Sequence, residues 1–327
     1  MLKLLQRCPG TLKEGFSTYS SGCRRNVFFN KKVDHILPYK SPSRSEADNE
    51  KFIENRKGIS ISGVQEKLSL TLVKNKLKLT GVGEQGKYIL KPIPRDLKLV
   101  DQVPANEHLT MQIANQVYDI NTAANALIFF ETGEQAYITK RFDVKDDGSK
   151  WGKEDFASLA RRSKDSHGSD YKYADISYEG VAALIKEYVG AYQIEIEKFY
   201  RLIVFNFLFS NGDAHLKNFS LLETSEGDYI LSPAYDLLNT RIHVGDTYFA
   251  LHKGLFKDGS VISPTRSDFL NFGKRIGISG QRVEMIYSSF LDHKNKVYSL
   301  IDNSFMSDKA KKAYLIHYNT RWNNLTK

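Results

Sequence analysis

The sequence predicts an α+β chain of two lobes: a small β-rich N-lobe over residues 58–150 and a larger, mostly helical C-lobe over residues 151–327, behind an N-terminal arm or cap and linker at residues 1–57. Three observations carry this. Apolar residues alternate with polar ones between Lys67 and Thr80, the mark of half-buried strands. From about residue 150 the apolar residues recur at helical spacing, and Phe199–Phe209 is apolar enough for a buried central helix. At 327 residues, the chain is long enough for two lobes with a core each.

The elements follow in order. Residues 1–56 are polar and irregular, with Pro38, Pro42 and the charged stretch Arg44–Lys57 ahead of the first strand, so no core of their own is expected there. Leu68, Leu70 and Leu72 alternate with Ser69 and Thr71; Lys74-Asn75-Lys76 interrupts, and Leu77 and Leu79 resume, which predicts a hairpin. Tyr88–Lys91 reads as a strand ended by Pro92, which has no N–H for a sheet ladder. Pro104 opens a helix whose Leu109, Ile113 and Val117 form one apolar stripe. Ala136–Phe142 is a further strand. In the C-lobe, Gly180–Val189 and Phe199–Phe209 are helices, and the polar patch Arg161–Asp175 is a candidate mobile loop. Phe219–Leu222 and Tyr229–Leu231 form a hairpin about Ser225–Asp228, and Ser307 caps a last helix over Asp308–Trp322.

Composition excludes several classes. The longest apolar stretch, Leu202–Phe209, falls short of a membrane span, and Met1–Cys8 has no signal-peptide core, which predicts a cytoplasmic protein with no membrane partner. Two cysteines, Cys8 and Cys23, make neither a disulfide framework nor a four-ligand zinc site. The net charge of +9 suits nucleic acid, an acidic protein or a nucleotide-phosphate site, and does not choose among them.

Phosphoryl transfer asks for a loop over the phosphates, a cation on them, ligands for Mg²⁺ and a base for the incoming hydroxyl. Each has a candidate, in that order. Gly58–Lys67 superficially resembles a Walker A loop, but Val64 stands where lysine is required, which argues against a P-loop NTPase. Two glycines five apart fit a phosphate-binding loop or an ordinary turn equally. Lys91 lies in an apolar strand and pairs with Glu107 if it points inward, or is a solvated lysine if it points out. The stronger signal is Asn211-Gly-Asp213-Ala-His215-Leu-Lys217-Asn218, between the apolar helix and the hairpin. Asp213 and Asn218 have the spacing of a kinase catalytic aspartate and its metal-binding asparagine. Asp236, after the hairpin, is the second metal carboxylate. A polar turn between helix and strand is the bland alternative.

These residues, with Ser60–Lys67, Tyr88–Pro92, Asn106-Glu107, Lys140–Asp143, Glu154–Phe156, Asn211–Ser220 and Ser232–Asp236, resemble the HipA family of bacterial toxin kinases. The resemblance implies a protein-kinase-like fold, ATP and Mg²⁺, transfer to serine or threonine, and toxicity through phosphorylation of an aminoacyl-tRNA synthetase. It implies a HipB-like helix-turn-helix antitoxin as partner, with DNA met only through that antitoxin. Carried over residue by residue, Ser62, Gly63, Val64, Gln65, Glu66 and Lys67 line the nucleotide phosphates, Lys91 contacts them, and Lys140, Arg141 and Phe142 form the adenine-side hinge. Asp213 is the proton acceptor; His215, Lys217, Asn218, Tyr235 and Asp236 complete the nucleotide site, with Asn218 and Asp236 on the metal.

In one respect the chain departs from the longer family members, which carry a further small subdomain ahead of the glycine-rich loop. Here 57 residues precede Gly58 and do not read as a folded domain. This resembles the shorter HipT-like toxins, in which a separate small HipS-like protein supplies the missing piece and the target is tryptophanyl- rather than glutamyl-tRNA synthetase. Ser60 and Ser62 are expected sites of regulatory autophosphorylation, since a phosphate there adds about −1.5 to −2 charges beside the nucleotide. Two other classes remain open: a catalytically inactive kinase-fold repressor subunit, and a small-molecule kinase, which shares the aspartate–asparagine spacing.

Overall fold

Five strands, Leu68–Val73 (β1), Lys76–Leu79 (β2), Tyr88–Lys91 (β3), Asn125–Phe129 (β4) and Gln135–Lys140 (β5), pair antiparallel in the order β2-β1-β3-β5-β4 in a computed structural model of the chain. The structure describes residues 5–41, 66–94, 97–173, 175–245, 247–259, 261 and 263–327. The chain divides into two compact units. The first is drawn from residues 1–112, 123–149 and 299–311; the second from 113–122, 150–298 and 312–327.

In the first unit the leucine alternation forms the expected hairpin, closed at Lys74, whose φ of +57° lies in the left-handed region. A strand that the alternation does not reveal is β4: all five of its residues are buried, so no polar face marks its period. The helix opened by Pro104 runs Val103–Tyr118, behind a short 3₁₀ turn at Val100–Gln102.

Residues 5–41 are folded and pack on the sheet. Ser21–Val27 (α1) is a helix capped by Ser20, whose Oγ accepts from Cys23 N. Residues 35–37 run along β4, with Phe129 N donating to His35 O at 2.8 Å and Leu37 N to Phe129 O at 2.7 Å. An edge strand otherwise open to pairing is thereby covered. Tyr19, Cys23, Val27, Phe28, Val33 and Leu37 join Leu68, Leu70, Tyr88, Leu90, Ala126 and Ile138 in one apolar cluster. The segment completes the sheet's core rather than making its own, so its apolar residues follow no period of their own.

Both cysteines belong to this packing and are free and buried. Cys8 Sγ accepts the backbone N–H groups of Ser20, Thr11 and Gly10 at 3.1, 3.3 and 3.4 Å. A hydrogen bond from Cys23, with those from Ser20 and Thr11, holds the Cys8 thiol down to about 4 and pushes Cys23 up.

In the second unit, Tyr192–Leu208 is the expected central helix, begun seven residues earlier than its most apolar stretch and buried on nearly every side from Phe199 onward. Tyr200 stacks on Phe272, and Phe205 and Phe209 both meet Tyr118 edge-on at 5.8 Å. The helix stops at Phe209, and Ser210 turns the chain with φ +52°. Beyond that turn, Ser220–Glu223 (β7) and Tyr229–Leu231 (β8) form the expected hairpin, joined on its other side by Lys153–Asp155 (β6). Helices Tyr178–Tyr188, Arg266–Arg275 and Gly280–Ser289 surround this core. The last helix spans Asp308–Thr326, with Ala310 N donating to its cap, Ser307 Oγ. Among the described residues, no helix is long and apolar enough to cross a membrane.

Candidate active site

Each unit carries part of the predicted chemistry. In the first, Lys91 at the end of β3 points inward, where burial without a partner would be costly. Its Nζ donates to Glu107 Oε1 at 2.6 Å, and both side chains are almost wholly inaccessible, at 5% and 2% exposed. Lys91 also lies 5.3 Å from the centre of the Tyr137 ring, its cross-strand neighbour in β5. The solvated-lysine alternative is thus set aside by geometry.

Lys140 ends β5 with Nζ 3.8 Å from the centre of the Phe29 ring, and burial lowers its pKa. Arg141 is engaged by Asp143 in a two-pronged ion pair, Nε to Oδ1 at 3.0 Å and Nη2 to Oδ2 at 2.7 Å. Phe142 follows, half-buried; Glu66 and Lys67, also half-buried, lead into β1. Ser60, Ser62, Gly63, Val64 and Gln65 lie outside the described residues.

In the second unit, Asn211–Asn218 leaves the central helix as a loop ending in a 3₁₀ turn at Leu216–Asn218. Asp213 is exposed, and its Oδ1 accepts from the Tyr173 hydroxyl at 2.9 Å. Asn218 Oδ1 accepts from His215 N at 3.1 Å, while its Nδ2 donates to Asp236 Oδ2 at 3.3 Å. The carboxylate only accepts and the backbone N–H only donates, which fixes the orientation of this amide. Asp236 has φ +57°, a conformation that aspartate and asparagine tolerate better than most side chains. His215 is buried, which pushes its imidazole toward the neutral form against the pull of the Asp213 charge. Lys217 Nζ lies 3.7 Å from Asp155 Oδ2, and the Tyr235 hydroxyl donates to Lys217 O at 3.0 Å while also meeting Ser220 Oγ.

Several residues that motif spacing does not mark hold this loop. Gly212 N donates to Thr240 Oγ1 at 2.9 Å, Thr247 Oγ1 donates to Gly212 O at 3.1 Å, and the Tyr178 hydroxyl donates to Ala214 O at 2.9 Å. Arg321, fully buried, lies over the rings of Tyr248 and Phe207 and donates to Thr247 O at 3.3 Å. Tyr173 sits within the polar patch at 161–175, and nothing in its neighbours' composition distinguishes it.

Asn218 and Asp236 are neighbours, the amide Nδ2 on the carboxylate and the amide Oδ1 turned to His215 N, so a neutral and an anionic oxygen donor belong to adjacent side chains. Among the described residues there is no cluster of three histidine, cysteine or acidic side chains for an all-protein metal cage. Two hard oxygen donors suit Mg²⁺, which is usually bound through one or two side chains together with waters and substrate phosphates. The residues present fit that ion.

The model of the HipA-like C-terminal domain matches residues 59–297. The chain belongs to that family. A protein of Haemophilus influenzae provisionally named a kinase is 28% identical over 336 residues, spanning 96% of this chain and 94% of that protein. A provisionally named kinase of Sinorhizobium fredii is 31% identical over 211 residues, 59% of this chain and about half (48%) of its own length. Two solved structures share the fold. HipA of Shewanella oneidensis, solved with HipB and operator DNA, superposes with a TM-score of 0.60 at 20% identity, over 81% of this chain and 63% of that one. The Helicobacter pylori proinflammatory kinase CtkA gives 0.52 at 19% identity, over 81% and 92%. The HipA-like family thus brings with it the α+β, protein-kinase-like fold that the sequence predicts.

Proposed function

We propose that this HipA-like chain is an ATP- and Mg²⁺-dependent protein serine/threonine kinase, the toxin of a toxin–antitoxin system. The observation that carries this reading is the contact of Asn218 Nδ2 with the Asp236 carboxylate, which sets two side chains that each bear a metal-competent oxygen next to each other in the loop system that presents Asp213 to solvent. A buried strand lysine held by a helix glutamate accompanies it.

Bound nucleotide and Mg²⁺ supply the transferable phosphoryl group and neutralise its charge. The chain's own residues do the rest. Asp213 takes the proton of the acceptor hydroxyl, Asn218 Oδ1 and the Asp236 carboxylate hold the metal, and Glu107 fixes Lys91 as a phosphate contact. His215, whose pKa burial lowers, ties Asn218 through its backbone N–H. Lys217 and Tyr235 brace the same turn. Ser62, Gly63, Val64, Gln65, Glu66 and Lys67 form the loop over the phosphates, Lys140, Arg141 and Phe142 the adenine side, and Ser60 and Ser62 take the regulatory phosphate.

The substrate in this reading is tryptophanyl- or glutamyl-tRNA synthetase, whose phosphorylation stops translation in the cytoplasm. The antitoxin is a HipB-like helix-turn-helix protein, in keeping with the fold shared with the Shewanella HipA. A HipS-like third component rests on resemblance to the shorter branch alone, because residues 5–41 already pack into the core of the sheet. Incubation with labelled ATP and a cell lysate tests the whole reading. A labelled synthetase band that disappears with Asp213→Asn is expected; labelling equal in the two proteins would overturn it.

A further inference from the structure

A phenol sits on the carboxylate assigned as base. The Tyr173 hydroxyl donates to Asp213 Oδ1 at 2.9 Å across forty residues of sequence. The contact is built from three sides within the second unit. Leu216 N donates to Lys172 O at 3.2 Å, so the backbone beside Tyr173 is tied to the loop that carries Asp213. His252 N donates to Tyr173 O at 3.1 Å, which ties it to a second segment. The ring meets His215 edge-on at 5.0 Å and lies parallel to His252 at 6.4 Å, with Lys172 Nζ 5.1 Å from its centre.

A general base accepts a proton from a hydroxyl at hydrogen-bond distance from its carboxylate. The phenol of Tyr173 fills such a position. We infer that Tyr173 is a gate on the acceptor side of this site: its hydroxyl stands in for the acceptor's on Asp213 and gives way only to an acceptor that brings its own hydroxyl. The inference rests on the kinase reading above. Its chemical sense lies in water, which is the competing acceptor whenever protein substrate is absent. A phenol on the base keeps water from that oxygen, and so keeps the bound triphosphate from being hydrolysed to diphosphate and phosphate. The phenol is itself a poor acceptor, because burial and the charge of Asp213 raise its pKa and hold its proton in place.

Tyr173→Phe keeps the ring and removes the hydroxyl. Removing a hydrogen bond to a charged group frees Asp213 by roughly an order of magnitude, so acceptor-free ATP hydrolysis should rise about tenfold. The KM for a protein acceptor should fall, since the acceptor no longer competes with the phenol. Hydrolysis that is unchanged or reduced would remove the gate, and a reduction with unchanged KM would make Tyr173 a positioning residue for Asp213 instead. A second measurement needs no nucleotide. Urea unfolding of Tyr173→Phe, Asp213→Ala and the double variant should be non-additive, because each single change breaks the same contact; additive shifts would show that the hydroxyl is not on the carboxylate. A parent protein that neither hydrolyses ATP nor labels any acceptor removes the kinase reading itself. Hydrolysis by the parent that Tyr173→Phe leaves unmoved removes the gate alone.

Discussion

Lys91 and Glu107 form a buried ion pair, Nζ to Oε1 at 2.6 Å, joining the last residue of a central strand to the first turns of a helix. Such a pair owes little of its persistence to stability, because desolvating two charges costs about as much as their attraction returns. Removing one partner is different: Glu107→Ala takes the carboxylate from a buried ammonium and should cost about 3–5 kcal/mol in urea unfolding. The double variant Lys91→Met, Glu107→Leu should recover most of that loss while remaining unable to transfer phosphate. A double variant with parental transfer would make the pair purely structural.

Asp213→Asn and Asp236→Asn are nearly isosteric, and asparagine also tolerates the left-handed backbone at residue 236. Both should keep the parental unfolding midpoint and lose phosphoryl transfer, Asp213→Asn by removing the proton acceptor and Asp236→Asn by removing the anionic metal ligand. The two separate on metal dependence: only Asp236→Asn should raise the Mg²⁺ concentration needed for nucleotide binding, followed by fluorescent-nucleotide titration. A β-branched residue such as Asp236→Val should also lose stability, because φ near +57° strains it.

Gly212 is the residue on which the loop is clamped. A Cβ there would lie 2.2 Å from Thr247 Oγ1 and 2.8 Å from Thr247 O, and its own N–H already donates to Thr240 Oγ1. Gly212→Ala must therefore push Asp213's loop away from the 247 segment, which Arg321 holds from the other side. Activity should fall at least tenfold, an amount of misplacement catalysis readily registers. Adding Thr247→Ala relieves the side-chain clash but not the backbone one, so rescue should be partial; full rescue or none would contradict this geometry.

How much of this was legible in the sequence depends on whether a residue's neighbours in the chain are also its neighbours in the fold. The leucine alternation of the β1–β2 hairpin, the apolar helix ending near Phe209 and the Asp213, Asn218 and Asp236 order are local patterns, and the structure has those elements where the patterns put them. Strand β4 is buried on both faces and shows no period, while β6 is three polar residues whose pairing with β7 depends on a partner some 67 positions away. Residues 5–41 bury scattered apolar side chains in another segment's core, which composition reads as an irregular arm. Tyr173, Thr240, Thr247 and Arg321 reach the Asp213 loop only through tertiary contacts, so no spacing rule finds them.

His108 supplies a pH dependence in the first unit. It is buried in the helix opened by Pro104, its Nε2 lies 3.0 Å from Gly10 O, and burial brings its pKa down to about 4. The unfolded chain takes up this proton near pH 6.5, the folded protein only near 4, so between these values the unfolded state binds more protons. Stability from this group is therefore fully present above about pH 6.5 and is lost as pH falls toward 4, by about 3 kcal/mol in all. His35 and His215, also lowered by burial, add loss of the same sign. His108→Gln separates the contributions, since glutamine can still donate to Gly10 O and does not titrate. The difference in unfolding free energy between parent and His108→Gln, measured in urea from pH 7.5 to 4.5, should change with pH in that sense. A difference constant across the range would mean that His108 takes up its proton equally in the folded and unfolded chain, and that its imidazole is not enclosed as described.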